Sequence, residues 1–401
     1  MRAVFFVLLA LSIITPIGMS DAFGEFIHDR LCNELKHIPS NSWKLFLCST
    51  VEINEDALGI TLANTDHFGD SVANIGDLDL DGVNDLAVGA KRDDGGSTDA
   101  GSLYILFMNK DGSVKSTAKI EDDNITDFGP ELAREDRFGD SVVNIGDLNG
   151  DGIDDLAVGA PNDDTKSNGD GFAEHGDNNW DAGAVYILFL NRDGSLAEET
   201  VVIDSSSASA NGPTLAKGDA FGMGVANIGD LDGNGYDDLA VGAYGDDDSG
   251  GARGAVHIMF MNTDGSVDST VEINDSTTNG PELEDDDSFG RSVANIGDLD
   301  GDGVNDLAVG ADKDNAGGAN RGTIHIIHMN TDGSVDSTVE INNETTNGPS
   351  MKDQDFFGFA VANIGDLDGN GINDLAVGAY GDDGGAGVGN NSGAVHLIFL
   401  E

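Results

Sequence analysis

The sequence predicts an all-β protein: a β-propeller of five four-stranded blades, its ring closed by the N-terminal strand pairing into the C-terminal blade. Three observations carry this. Five similar units open at Phe68-Gly69, Phe138-Gly139, Phe221-Gly222, Phe289-Gly290 and Phe357-Gly358, spaced 70, 83, 68 and 68 residues apart. Every element within a unit is short, β-branched or aromatic, and bounded by Gly, Asp or Asn, with no 3.6-residue period. An orphan copy of the unit's last strand, Ser49-Thr50-Val51-Glu52-Ile53-Asn54, precedes the first unit, whereas the last unit stops at its third strand.

Each unit runs in the same order. After Phe-Gly comes a Val-x-Asn-Ile-Gly-Asp strand, an Asp-rich turn, then an Asp-Leu-Ala-Val-Gly-Ala strand. A polar Gly-rich loop leads to an apolar third strand such as Tyr104-Ile105-Leu106-Phe107. The hairpin turns Asp111-Gly112, Asp193-Gly194, Asp264-Gly265 and Asp332-Gly333 suit positive φ and lead to an alternating fourth strand such as Thr270-Val271-Glu272-Ile273. Four antiparallel strands in about 70 residues make one propeller blade. A single blade cannot bury both faces, so blades must stack. Pairing of Val51–Ile53 with the last blade would remove a free edge.

The Asp-rich turn places carboxylates or amides at positions 1, 3, 5 and 9 around a Gly at 6. The sets are Asp77, Asp79, Asp81, Asp85; Asp147, Asn149, Asp151, Asp155; and Asp230, Asp232, Asn234, Asp238. The last two are Asp298, Asp300, Asp302, Asp306 and Asp366, Asp368, Asn370, Asp374. Alternating oxygens on a tight turn suit a hard cation of flexible coordination, Ca²⁺ better than Mg²⁺, at about one per blade. Position 7 (Val83, Ile153, Tyr236, Val304, Ile372) is expected to offer its backbone carbonyl. The four-carboxylate turns at Asp77 and Asp298 are expected to bind most tightly. These are not EF-hands, because position 12 is Val88, Val158, Val241, Val309 and Val377 where that loop needs a Glu.

Phe-Gly, the Asp-x-Asp-x-Asp-Gly-x-x-Asp turn and Gly159-Ala160-Pro161 resemble the FG-GAP repeats of integrin α subunits and of microbial surface proteins. Lys91, Tyr244, Asp312 and Tyr380 replace the Pro in the other units. The resemblance covers residues 49–401. It implies a propeller with calcium between strands one and two, and a role in adhesion or ligand binding.

Charge narrows the partners. The chain has 74 Asp and Glu against 19 Lys and Arg, a net charge of −55, which excludes nucleic acid and anionic membrane surfaces and calls for bound cations or high salt. Arg2, the apolar run Ala3–Ile14 and the small residues Gly18, Ser20 and Ala22 read as an export signal over residues 1–20, with an uncleaved anchor as the rival reading. Residues 21–48 form a short extension. Its Cys32 and Cys48 either pair or, with His28 and His37, bind a metal. The chain is therefore expected to be secreted or at the cell surface, with no membrane insertion after signal cleavage.

The expected partner is an extracellular protein or glycan. The 2–3 and 4–1 loops share one face of the propeller, and the insertion Thr165–Ala182 in one of them carries His175 and Trp180, a candidate ligand site. His257, His325 and His396 take the strand position of Tyr104 and Tyr186, which points to blade packing. No nucleophile–base spacing stands out, so no enzyme is expected. The alternative is a polysaccharide-active lyase or hydrolase using loop pairs such as Asp93-Asp94, Asp163-Asp164, Asp246-Asp247 or Asp382-Asp383. Their recurrence favours solvated turns or secondary ion contacts.

Overall fold

The computed structural model describes residues 50–401 apart from 95–96, 123–127, 164–180, 206–210, 249 and 384–391. The export signal, the cysteine pair, His175 and Trp180 lie outside the described residues. Two compact units divide at Ala57–Leu58. The second holds every strand among the described residues, in five blades. The first blade is β1 (Phe68–Asn74), β2 (Leu86–Ala90), β3 (Ser102–Met108) and β4 (Val114–Glu121). The second is β5 (Ser141–Asn144), β6 (Leu156–Ala160), β7 (Ala184–Leu188) and β8 (Val201–Ile203). The third is β9 (Phe221–Gly229), β10 (Asp238–Ala243), β11 (Ala255–Met261) and β12 (Val267–Ile273). The fourth is β13 (Phe289–Gly297), β14 (Asp306–Ala311), β15 (Thr323–Met329) and β16 (Val335–Ile341), and the fifth β17 (Phe357–Gly365), β18 (Asp374–Ala379) and β19 (Ala394–Ile398). Each sheet is an antiparallel meander in chain order. The five-bladed all-β propeller expected from the repeats is what the chain forms.

Adjacent blades share their apolar faces. Four clusters of buried side chains join blades one and two, two and three, three and four, and four and five. Each Phe-Gly phenyl stands edge-on to the third-strand ring of its own blade: Phe138 on Tyr186, Phe221 on His257, Phe289 on His325, with centroids 5.3–5.5 Å apart. The three strand histidines therefore pack the blades as expected. Innermost strands are tied by asparagines: Asn227 Nδ2 donates to the carbonyl of Asn144, Asn295 to Asn227 and Asn363 to Asn295, each at 3.0 Å.

Closure differs from expectation. The fifth sheet has three strands, and Val51–Ile53 forms none. Asn54 instead ends this stretch at a turn, its Oδ1 accepting from the Ala57 N–H at 3.1 Å as the chain enters the helix Glu55–Leu58. Three residues with one apolar pair offer too little ladder to hold a strand against that turn. The seam also shows on blade five. Ile75, Ile145, Ile228 and Ile296 are buried against the following blade, but their counterpart Ile364 is 37% exposed and Leu367 58%. On β19, Val395 is 70% exposed and Leu397 50%.

Candidate metal centre

The Asp-rich turns all lie on one face, each joining the first two strands of a blade. The turn is built by its own carboxylates. In the first blade Asp77 Oδ1 accepts from the Asp81 N–H at 2.9 Å and Oδ2 from Gly82 at 2.8 Å, while Asp79 and Asp81 each cap a backbone N–H two residues on. Gly82 has φ of 88°, which favours glycine at position 6. The same bonds recur at Asp147 with Asp151 and Gly152, and at Asp298 with Asp302 and Gly303.

Carboxylate oxygens of the turns also converge on one another. One oxygen each from Asp77, Asp79 and Asp85 lies within 4.8 Å of the others, and the same holds for Asp230, Asp232 and Asp238 and for Asp298, Asp300 and Asp302. Such spacing fits oxygens around one cation at about 2.3–2.6 Å. The residues present therefore suit Ca²⁺.

Position 9 has a second role that spacing did not reveal. Asp85, Asp155, Asp238, Asp306 and Asp374 are buried. Asp85 Oδ2 accepts from the Leu78 N–H at 3.0 Å and Oδ1 from the Met108 N–H at 2.9 Å. All five repeat this pair of bonds, fastening the turn to the end of the third strand. Burial pushes the Asp155 carboxyl up to about 7 and that of Asp238 to about 6, against the lowering by those backbone bonds. A bound cation would oppose this rise.

The first turn contains a cation of its own. Lys115 Nζ on β4 is 2.6 Å from Asp79 Oδ2 and 2.8 Å from Asp81 Oδ2, and its hydrogen bond holds Asp81 below the usual carboxylate range. The corresponding residues on β12 and β16 are Asp268 and Asp336. The first and fourth turns, alike in their four carboxylates, thus differ in what faces them. The fourth turn instead faces His328, whose Nδ1 is 3.3 Å from Asp306 Oδ2.

The opposite face corrects the picture of solvated acidic pairs in their first members, while Asp94 and Asp247 are exposed. Asp93, Asp163, Asp246 and Asp314, at the start of the 2–3 loops, are buried. Tyr104 donates its hydroxyl to Asp93 at 2.6 Å, and Tyr186 to Asp163. Around the inner end of this face, the Arg291 guanidinium lies 5.3 Å from the Tyr244 ring centroid and 4.3 Å from that of Phe359. Phe359 is in turn edge-on to Tyr380, which stacks on Phe356 at 4.6 Å. Phe359 and Tyr380 are exposed. The residues Tyr244 and Tyr380 that replace Pro in the repeat are thus the ones that build an aromatic patch.

Comparison with known proteins agrees with the repeat. The FG-GAP repeat family matches residues 68–106, 138–188, 221–259 and 289–327, four of the five units. Integrin alpha-PS5 of Drosophila melanogaster is 37% identical over 181 residues, 45% of this chain and 15% of that protein. Integrin alpha-IIb of Mus musculus is 30% identical over 238 residues, covering 57% of this chain and 20% of that one. The chain spans no more than a fifth of the length of these relatives. Among solved structures, an exotype rhamnogalacturonan lyase, YesX, is 17% identical over 76% of this chain and 44% of its own with a TM-score of 0.37, too slight a likeness to bear on activity.

Proposed function

This chain is an FG-GAP repeat protein similar to integrin α subunits, and on that premise we propose that it is a calcium-binding β-propeller, secreted or held at the cell surface, that mediates adhesion by binding an extracellular protein or glycan. The converging carboxylate oxygens of the turns carry this reading. Calcium takes positions 1, 3, 5 and 9 of each turn, with the carbonyls of Val83, Ile153, Tyr236, Val304 and Ile372 completing the shell. Residues 1–20 direct export. No helix among the described residues is long and apolar enough to cross a membrane.

Calcium acts here as a folding ligand. At about 1 mM free ion and a Kd of about 0.1 mM, each site contributes about 1.4 kcal/mol. Partial neutralisation of the −55 charge adds to this. The ligand face is the opposite one, where the aromatic patch around Arg291 lies. Exposed aromatics beside a guanidinium suit sugar stacking or a protein hot spot. The chemistry is binding, not turnover.

Melting curves in Ca²⁺ and in EDTA, together with a glycan and extracellular-protein binding screen under both conditions, test the proposal. A Ca²⁺-dependent rise in Tm and saturable, Ca²⁺-dependent binding are expected. Coincident melting curves with no binding would overturn it, and polysaccharide cleavage without stable binding would favour the lyase or hydrolase reading.

A further inference from the structure

The first and third blades solve one electrostatic problem in opposite ways. In the first blade Tyr104 on β3 lies directly opposite Lys119 on β4. The Lys119 ammonium is 2.9 Å from Asp93 Oδ1 and 2.5 Å from Glu121, and Tyr104 covers the other Asp93 oxygen. Carboxylates, hydroxyl and cation are all matched.

In the third blade the corresponding pair is His257 opposite Glu272, so a carboxylate stands where the ammonium was. Asp246 occupies the place of Asp93. One oxygen each from Asp246, Asp248 and Glu272 lies within 4.8 Å of the others. Asp246 Oδ1 accepts from the Asp248 N–H at 3.0 Å, but its Oδ2 is buried with no partner. His257 is 1% exposed, and neither ring nitrogen has a hydrogen-bond partner. It lines, with Glu272, the polar depression over this part of the blade. Asp219 adds a further buried carboxyl beside Asp246, its Oδ1 also without a partner. The nearby Arg253 is engaged with Asp275 and Asp285.

Three converging carboxylates with a fourth alongside repel one another unless a cation joins them. We propose that the third blade carries a divalent-cation site on the face opposite its Asp-rich turn, held by Asp246, Asp248 and Glu272, in which the ion takes the place that Lys119 fills in the first blade. An all-carboxylate donor set selects a hard ion of the Ca²⁺ class.

The test is equilibrium dialysis of the full chain with Ca²⁺, paired with melting curves in EDTA. Glu272→Lys restores the first blade's arrangement. It should bind one Ca²⁺ fewer than the wild type and melt at a higher temperature in EDTA. Asp248→Asn, at an exposed side chain, should keep the fold and either lose the same ion or weaken it at least tenfold. The turns lie on the other face, so their ions remain in both variants; a wild type that binds a single ion, lost in Glu272→Lys, would support this site while refuting the turns. If both variants bind as many ions as the wild type with unchanged affinity, the proposal is overturned. Should Glu272→Lys fail to fold, unchanged binding by Asp248→Asn alone overturns it.

Discussion

Asp238 in the third turn accepts a hydrogen bond from the backbone N–H of Met261 at 2.9 Å, while its other oxygen holds the N–H of Leu231 at the same distance. A residue expected to be one ligand among four is therefore also a buried fastener between turn and strand. Asp238→Ala should leave two buried donors unpaired and cost about 2–6 kcal/mol, in EDTA as in calcium. Asp232→Ala, at an exposed position, should lower Tm only when calcium is present. Chemical denaturation of both variants under both conditions separates the roles. Equal losses would mean that position 9 is a ligand and nothing more.

Lys115 sets the first turn apart. Its ammonium already bridges Asp79 and Asp81, so an arriving ion must displace it. Lys115→Ala should tighten calcium at that turn about two- to fivefold, a range set by what exposed ion pairs contribute. Titration against a fluorescent chelator reads the change. Unchanged affinity would show that the lysine swings away without cost.

Blade count, strand order and the turn carboxylates were legible because each repeats with fixed spacing, and repetition separates a built feature from an ordinary polar turn. The roles of individual acids were not. Asp85 and Asp79 look alike in sequence, but one ends buried beneath the third strand and the other half-buried at the turn, a difference set by tertiary packing alone. Asp93 and Asp246 look alike too, and only the partner across the sheet, Lys119 or Glu272, distinguishes them. The closing strand shows the same limit, since Val51–Ile53 forms no strand. Val51 and Ile53 carry the strand pattern, but pattern records only what a segment can pair as.

Acidity should stabilise the ion-free protein. Asp287 precedes the fourth Phe-Gly, and burial, the largest cause, raises its carboxyl to about 7 together with Asp314 and Glu284, against the lowering by the Glu284 N–H that it accepts and by Arg253. The unfolded value is about 3.9, so between those limits the native state binds more protons. Stability from this group is fully present below about pH 4 and is lost as pH rises through about 7. In EDTA, Tm should fall between pH 5 and 8, and Asp287→Asn should flatten that fall. A variant with the wild-type slope would place the dependence elsewhere.

The seam between the last and first blades can be read from glycines. At four blade junctions the Gly of the second strand touches the Phe-Gly glycine of the next blade. A Cβ on Gly159 would lie 2.0 Å from the Gly222 carbonyl oxygen, and one on Gly242 1.9 Å from that of Gly290. Backbone cannot yield that much, so Gly242→Ala should separate two blades and cost about 1–3 kcal/mol or more. Gly378 holds the same place in the fifth blade, but a Cβ there meets nothing nearer than the Ala360 Cβ at 3.6 Å. With ordinary space and no positive φ, Gly378→Ala should be neutral or stabilise by about 0.4–1 kcal/mol through the unfolded chain. Thermal denaturation of the two variants side by side decides it. If Gly378→Ala proves as damaging as Gly242→Ala, a neighbour presses on the fifth blade in solution and the ring is sealed.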